Sequence, residues 1–233
     1  MAKNKKTKKN NKTNKASEIK KPNDAKKLNK AKKTSEPRDR SKLYLYLLCS
    51  LFAALTAVFS QIMIPLVFTP VPINLALLAV WICGGVLGAK KGAIAILVYI
   101  LLGAIGVPVF HGLTGGFGVL AGPTGGYIVG YLPAVIIFGL LAKRYIPDYS
   151  KESGRDYKKT AARIFIALVI GLPALAACYA IGTAWFMITS GTGFLAALWM
   201  CVIPFIPGDL LKLALASVVL EALRKRIRAL GSL

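Results

Sequence analysis

Histidine is almost absent from this chain: His111 is the only one in 233 residues. A single imidazole cannot build a cluster of His ligands around a metal, and it makes a His-based catalytic triad unattractive. Acidic residues are scarce too, 9 against 31 Lys and Arg, so paired carboxylates for acid–base work have little to draw on. The four cysteines, Cys49, Cys83, Cys178 and Cys201, each stand alone inside an apolar stretch. Without a CxxC there is no zinc or redox spacing, and these residues read as buried free thiols. No GxxxxGK[ST] phosphate loop occurs, so the chain cannot itself hydrolyse ATP by that route. The glycine-rich stretch HGLTGGFGVLAGPTGGY is not the GxGxxG dinucleotide fingerprint either, and it follows no strand-like run. Enzyme readings are therefore poor, and neither a metal nor a resident cofactor is expected.

What the chain does have is apolar surface. It is 55% hydrophobic, with a mean hydropathy of +0.58, which points to an integral membrane protein. The charge is concentrated at one end: residues 1–42 hold 17 of the Lys and Arg and 4 acidic residues. That segment has almost no apolar side chains and no periodicity, so it cannot offset the entropy of ordering and is expected to be a disordered, Lys-rich cytoplasmic tail. Attraction to anionic lipid headgroups suits it better than nucleic acid, for which no aromatic interleaving or folded module is present.

Residues 43–228 are expected to form one membrane domain. Apolar runs follow at 43–64, 73–88, 92–107, 124–142, 164–188 and 205–223, most of them long enough to cross a bilayer. A further run, 194–203, is too short to span before Pro204 and suggests a surface or re-entrant helix. With the tail inside, six crossings put Lys90, Lys91, the 143–163 segment and Arg224–Arg228 on the same side. The opposite loops, near 65–72, 108–123 and 189–193, contain no charged residue. This agrees with the positive-inside rule and predicts an all-α bundle of six transmembrane helices with both termini cytoplasmic. Lys212 is the one basic residue beyond the tail that falls outside the pattern.

Small residues mark the helix contacts. Gly84, Gly88 and Gly92 are spaced by four, as are Gly122, Gly126 and Gly130, and Ala53 and Ala57 repeat the spacing on the first helix. Such spacing lets backbones approach closely in a bilayer; internal packing is the default, though the Ala53–Ala57 face would also serve a partner protein. The loop 112–126, with seven glycines in fifteen positions, reads as an ordered lid or wall because a helix start follows it directly.

The most informative pair is Asp209 and Lys212 in PFIPGDLLKLALAS. A charge at membrane depth costs about 2.5–3.5 kcal/mol on insertion scales. Pro207 suits a first helical turn, so Asp209 lies near the start of the last span with Lys212 three residues on, on the same face. A self-satisfied ion pair would explain them, but a buried pair is rarely the most stable solution. A small polar ligand fits as well, since Asp accepts from N–H groups while Lys donates to a carbonyl or carboxylate. A cyclic urea, with N–H, C=O and N–H along one edge, matches both.

FTPVPI (68–73), LLGAIGVPVF (101–110), GPTGGY (122–127) and PFIPGDLLK (204–212) stand in the order seen in the BioY family, and the chain from about 43 to 223 resembles it. BioY proteins are the biotin-binding S components of energy-coupling-factor (ECF) transporters. The resemblance implies a multi-pass protein of a bacterial cell membrane that captures biotin on the extracytoplasmic side. It implies delivery inward with one transmembrane coupling subunit and two ATPase subunits, which would use the ATP. It places Asp209 and Lys212 at the ligand, Phe68 to Pro72 in a loop over the site, Gly125, Gly126 and Tyr127 in its wall, and Ala53 and Ala57 on the face that docks to the coupling subunit. Two positions depart from the pattern: Ala76 stands where a polar residue, commonly Gln, is usual, and His111 where small residues are usual, which suggests a variant loop contact. Capture of another small vitamin and an autonomous facilitator or channel are the alternatives.

Overall fold

The computed structural model describes residues 43–146 and 157–229. The Lys-rich tail and residues 147–156 of the segment expected to form an inner loop lie outside the described residues. Contacts divide the chain into Met1–Tyr44 and Leu45–Leu233, and the second unit holds the core and the cavity.

Helix α1 runs over Leu43–Gln61. The apolar run continues beyond it, but the residue before a proline is pushed toward extended backbone, and Pro65 stops the helix. An antiparallel hairpin follows instead, β1 (Met63–Leu66) and β2 (Thr69–Asn74), pairing Met63 with Asn74 and Ile64 with Ile73, with an irregularity between Ile64 and Leu66. This small sheet was not expected from an all-α reading. Pro70 and Pro72 have no N–H to donate, which an isolated two-stranded hairpin tolerates.

Helix α2 spans Ala76–Ala104 but is interrupted at Gly88, whose φ of 72° and ψ of −179° are not helical. The chain folds back there. The Cys83 thiol reaches the Gly92 carbonyl at 3.8 Å, where an unbroken helix would separate the two residues by about 13 Å. The two arms, 76–87 and 89–104, therefore lie side by side, with Lys90 and Lys91 just after the bend. A 3₁₀ turn (His111–Leu113) and the short α3 (Phe117–Ala121) order the glycine-rich loop. Helix α4 is Gly125–Tyr145 and α5 is Tyr157–Ser190. Helix α6, Phe194–Cys201, is the short helix expected before Pro204, and α7 (Ile206–Ala229) begins one residue before Pro207.

Among the described residues four helices are long and apolar enough to cross a membrane, and a fifth span arises if α6 and α7, bent by 50°, count together. Helix α4 is the most enclosed of them and packs against α2 and α5, while α7 packs on α2 and α5. Trp81, Ile96, Val135, Phe138, Ala174 and Leu213 fill the centre. Of the spaced glycines, Gly84, Gly92, Gly126 and Gly130 serve these contacts. A Cβ on Gly84 would lie 3.1 Å from the Val135 carbonyl oxygen, and one on Gly130 would lie 3.1 Å from that of Cys178. Where the start of α5 meets the later part of α7, Arg163 and Glu221 form a buried ion pair at 3.4 Å, with the Thr160 hydroxyl donating to the same carboxylate at 3.4 Å.

Candidate functional site

Helix α7 carries its only acidic first-turn residue, Asp209, on a turn whose N–H bonds to the Phe205 carbonyl at 2.9 Å. Three residues later Lys212 shares its face, and the ammonium donates to Asp209 Oδ1 at 2.6 Å. From α5 the Tyr179 hydroxyl donates to the other oxygen, Oδ2, at 2.5 Å. Asp209 and Lys212 are only 4% and 6% exposed. The carboxylate thus has one donor on each oxygen. An ionised carboxylate has about four lone-pair sites, so acceptor capacity remains on both.

This cluster forms one wall of a cavity of about 50 Å³. The hairpin contributes Val71, Pro72 and Asn74, α2 contributes Leu77, and α4 contributes Tyr127, Ile128 and Tyr131. Cys178 and Tyr179 come from α5, Phe205 from the turn before α7, and His111 and Thr124 from the glycine-rich loop and its end. Tyr127 is fixed by its hydroxyl, 3.0 Å from the Thr183 hydroxyl and 3.4 Å from the Cys201 carbonyl to which it donates. His111 Nε2 lies 3.2 Å from Thr124 Oγ1. Burial holds the imidazole below its ordinary pKa of 6.5, so it is neutral at pH 7. Apolar walls with a few converging polar groups are the usual make-up of a small-molecule site. Among the described residues no three of His, Cys, Asp and Glu come together as a metal site.

Asp209, Lys212, Tyr127, Pro72 and His111 therefore meet in one cavity. Three other expected residues do not join them. Phe68 is at the turn of the hairpin, 56% exposed, because the two strands carry residues 71–74 inward and leave the tip outside. Gly125 and Gly126 are close-packing positions rather than ligand wall: a Cβ on the first would run into the Leu120 carbonyl, and one on the second into the Trp185 side chain. On α1, Ala53 is 3% exposed and part of the core, so it presents no face to a partner. Ala57 is only partly buried, and Leu47, Leu51 and Val58 are exposed on the same helix. Ala76 is also fully buried, and the polar side chain on this part of the wall comes from Asn74, whose Oδ1 accepts from the Ala76 N–H at 3.1 Å.

Sequence reasoning missed Asn74, Tyr131 and Tyr179. Tyr131 was findable, since it lies one turn from Tyr127 on the same face of α4. Tyr179 carries no such signal: a tyrosine inside an apolar helix is ordinary until its partner is known.

The comparisons with known proteins agree on one family. The family model described as the BioY family matches residues 30–229. A protein of Rhizobium etli named "Biotin transporter BioY" is 36% identical over 173 residues, covering 74% of this chain and 88% of that one. "Biotin transporter BioY2" of Lactococcus lactis is 36% identical over 193 residues, 82% of this chain and 94% of its own length. Among solved structures, the crystal structure of "the S-component for biotin from an ECF-type ABC transporter" superposes with a TM-score of 0.68 at 28% identity, covering 80% of this chain and 93% of that one.

Proposed function

The chain belongs to the BioY family, and we propose that it is the substrate-capturing subunit of a biotin uptake system, a multi-pass membrane protein and not a catalyst. The observation that carries the biotin assignment is the Tyr179–Asp209–Lys212 cluster facing an otherwise largely apolar cavity. The ureido edge of biotin offers N–H groups to the free lone pairs of Asp209, and its carbonyl accepts from the Lys212 ammonium, which has donors to spare beyond the one given to Asp209. The fused rings suit Val71, Leu77, Ile128 and Phe205, and Tyr127 and Pro72 close the sides. Isothermal titration of the purified protein with biotin tests this; absence of saturable binding overturns it.

The finer parts of the reading extend it along the resemblance to the BioY family. The chain works in a bacterial plasma membrane among its lipids, with both termini cytoplasmic and the cavity toward the outside. Six crossings result when the two arms of α2 are counted separately and α6 with α7 forms one span. The first arm is the shortest, roughly 18 Å at 1.5 Å per residue, against a hydrocarbon core of about 30 Å. ATP is used by two ATPase subunits, and a transmembrane coupling subunit joins them to this chain. Docking uses the α1 face that the core leaves uncovered, Leu47, Leu51 and Val58 with Ala57 at its edge; Ala53 contributes only internally.

A further inference from the structure

Biotin carries a second recognition element, the carboxylate at the end of its valerate tail, and the cavity must meet its negative charge. Six titratable groups face the cavity besides His111: Tyr127 and Tyr131 from α4, Cys178 and Tyr179 from α5, Asp209 and Lys212 from α7. The phenols and the thiol carry no positive charge. Lys212 is the only cation among them, and its charge is matched at 2.6 Å by Asp209, so the pair as a whole is neutral. The hairpin and α2 bring no charged side chain to the lining. His111 is left as the one group able to supply an uncompensated positive charge.

It is also a positioned side chain. The Ser60 hydroxyl donates to the Val109 carbonyl at 2.6 Å, and the Gln61 amide donates to the Phe110 carbonyl at 2.9 Å while accepting from the Leu113 N–H at 2.8 Å. Phe110 is fully buried, with its ring over Gly103, where any Cβ would collide with it. The turn that presents His111 is thereby fastened on both sides of the residue. A neutral imidazole has one donor and one acceptor, whereas imidazolium donates from both nitrogens. The protonated ring therefore serves Thr124 and a ligand oxygen at once.

We propose that His111, as imidazolium, receives the carboxylate of biotin, and that capture therefore tightens as the outside medium acidifies. The inference rests on the biotin reading and leaves Lys212 to the ureido ring. Burial lowers the pKa of His111 in the empty cavity, and a bound carboxylate raises it. Affinity is then highest below the lowered value, falls as pH rises through the interval up to the bound value, and is flat above that. A rise of one pKa unit corresponds to a tenfold limit, and a partly solvated contact corresponds to about three- to tenfold.

Equilibrium binding of biotin and of biotinamide, whose tail is uncharged, is measured on the purified full chain and on His111→Gln between pH 5.5 and pH 8.5, where the biotin tail stays anionic. Wild type is expected to bind biotin about three- to tenfold more tightly at pH 5.5 than at pH 8.5 and biotinamide equally at both. His111→Gln is expected to bind both ligands independently of pH, with biotin held as weakly as in wild type at high pH. Parallel pH profiles for the two ligands in wild type overturn the proposal without any variant. So does an undiminished biotin slope in His111→Gln. Wild-type protein that binds neither ligand at any pH overturns the biotin reading itself, and this inference with it.

Discussion

Removing Asp209 and Lys212 one at a time and then together separates their two possible tasks. In the empty cavity they satisfy each other at 2.6 Å with exposures of 4% and 6%. Lys212→Met keeps the length of the side chain but leaves a buried carboxylate with only the Tyr179 hydroxyl. Breaking a buried pair by removing one partner costs about 3–5 kcal/mol; the donor that remains on Oδ2 holds the expectation near the lower end. Asp209→Asn keeps the shape and strands the ammonium, and it turns one acceptor into a donor that meets a ligand N–H. The double variant Asp209→Asn/Lys212→Met removes both charges and is expected to recover much of the lost stability, so the two stability changes are far from additive. Binding behaves differently. Each single variant loses a charge-assisted hydrogen bond to biotin, worth about 1.5–3 kcal/mol, or roughly tenfold to more than a hundredfold in affinity. The double variant stays at least as weak as either. Thermal unfolding in detergent measures the first effect and titration calorimetry the second. If the double variant is stable and binds biotin like wild type, the pair is structural and the assignment of the site fails.

On α1, Ala57→Trp is expected to leave biotin affinity intact while reducing co-purification with the coupling subunit and ATPases, whereas Ala53→Trp, placed inside the core, should lower the melting temperature. Gly125→Ala drives a Cβ into the Leu120 carbonyl and should destabilise by about 1–3 kcal/mol. Gly118→Ala, where a Cβ meets nothing within 4 Å, should be near neutral by the same melting assay. In a cysteine-free background, Phe117→Cys, exposed in the glycine-rich loop, should react with an impermeant thiol reagent from outside the cell and Lys90→Cys only from inside. Both reacting from one side would refute the six-crossing arrangement.

The residues readable from sequence were those whose chemistry conflicts with their surroundings. Asp209 and Lys212 are costly inside an apolar run, and His111 is conspicuous as the only one of its kind; all three reach the cavity. Glycines carry no such conflict. Gly125 and Gly126 resemble a wall that lets a ligand approach, but what approaches them is the Leu120 carbonyl and Trp185. Ala53 and Ala57 share a spacing that puts them about 40° apart on one face of α1, yet spacing does not say where the edge of the core falls, and it buries the first and leaves the second half-exposed. The hairpin was hidden because an apolar run through residue 64 reads the same whether it ends as helix or strand.

Gly88 and Gly139 lie against each other at the fold-back of α2, and they forbid larger residues for opposite reasons. A Cβ on Gly139 would come within 2.5 Å of the Ala89 backbone nitrogen, a collision with main chain that only a shift of the turn itself relieves. A Cβ on Gly88 would meet nothing within 4 Å; the obstacle there is the backbone itself, in a region of φ and ψ open essentially to glycine alone. Compensating changes nearby therefore have different reach. Room can be made for a methyl at 139 if the turn shifts by a fraction of an ångström, whereas no neighbour can be trimmed to relieve residue 88, because no neighbour causes its difficulty. In a selection for second-site revertants, Gly139→Ala should yield repairs among the residues around the turn, and Gly88→Ala should yield only true reversion.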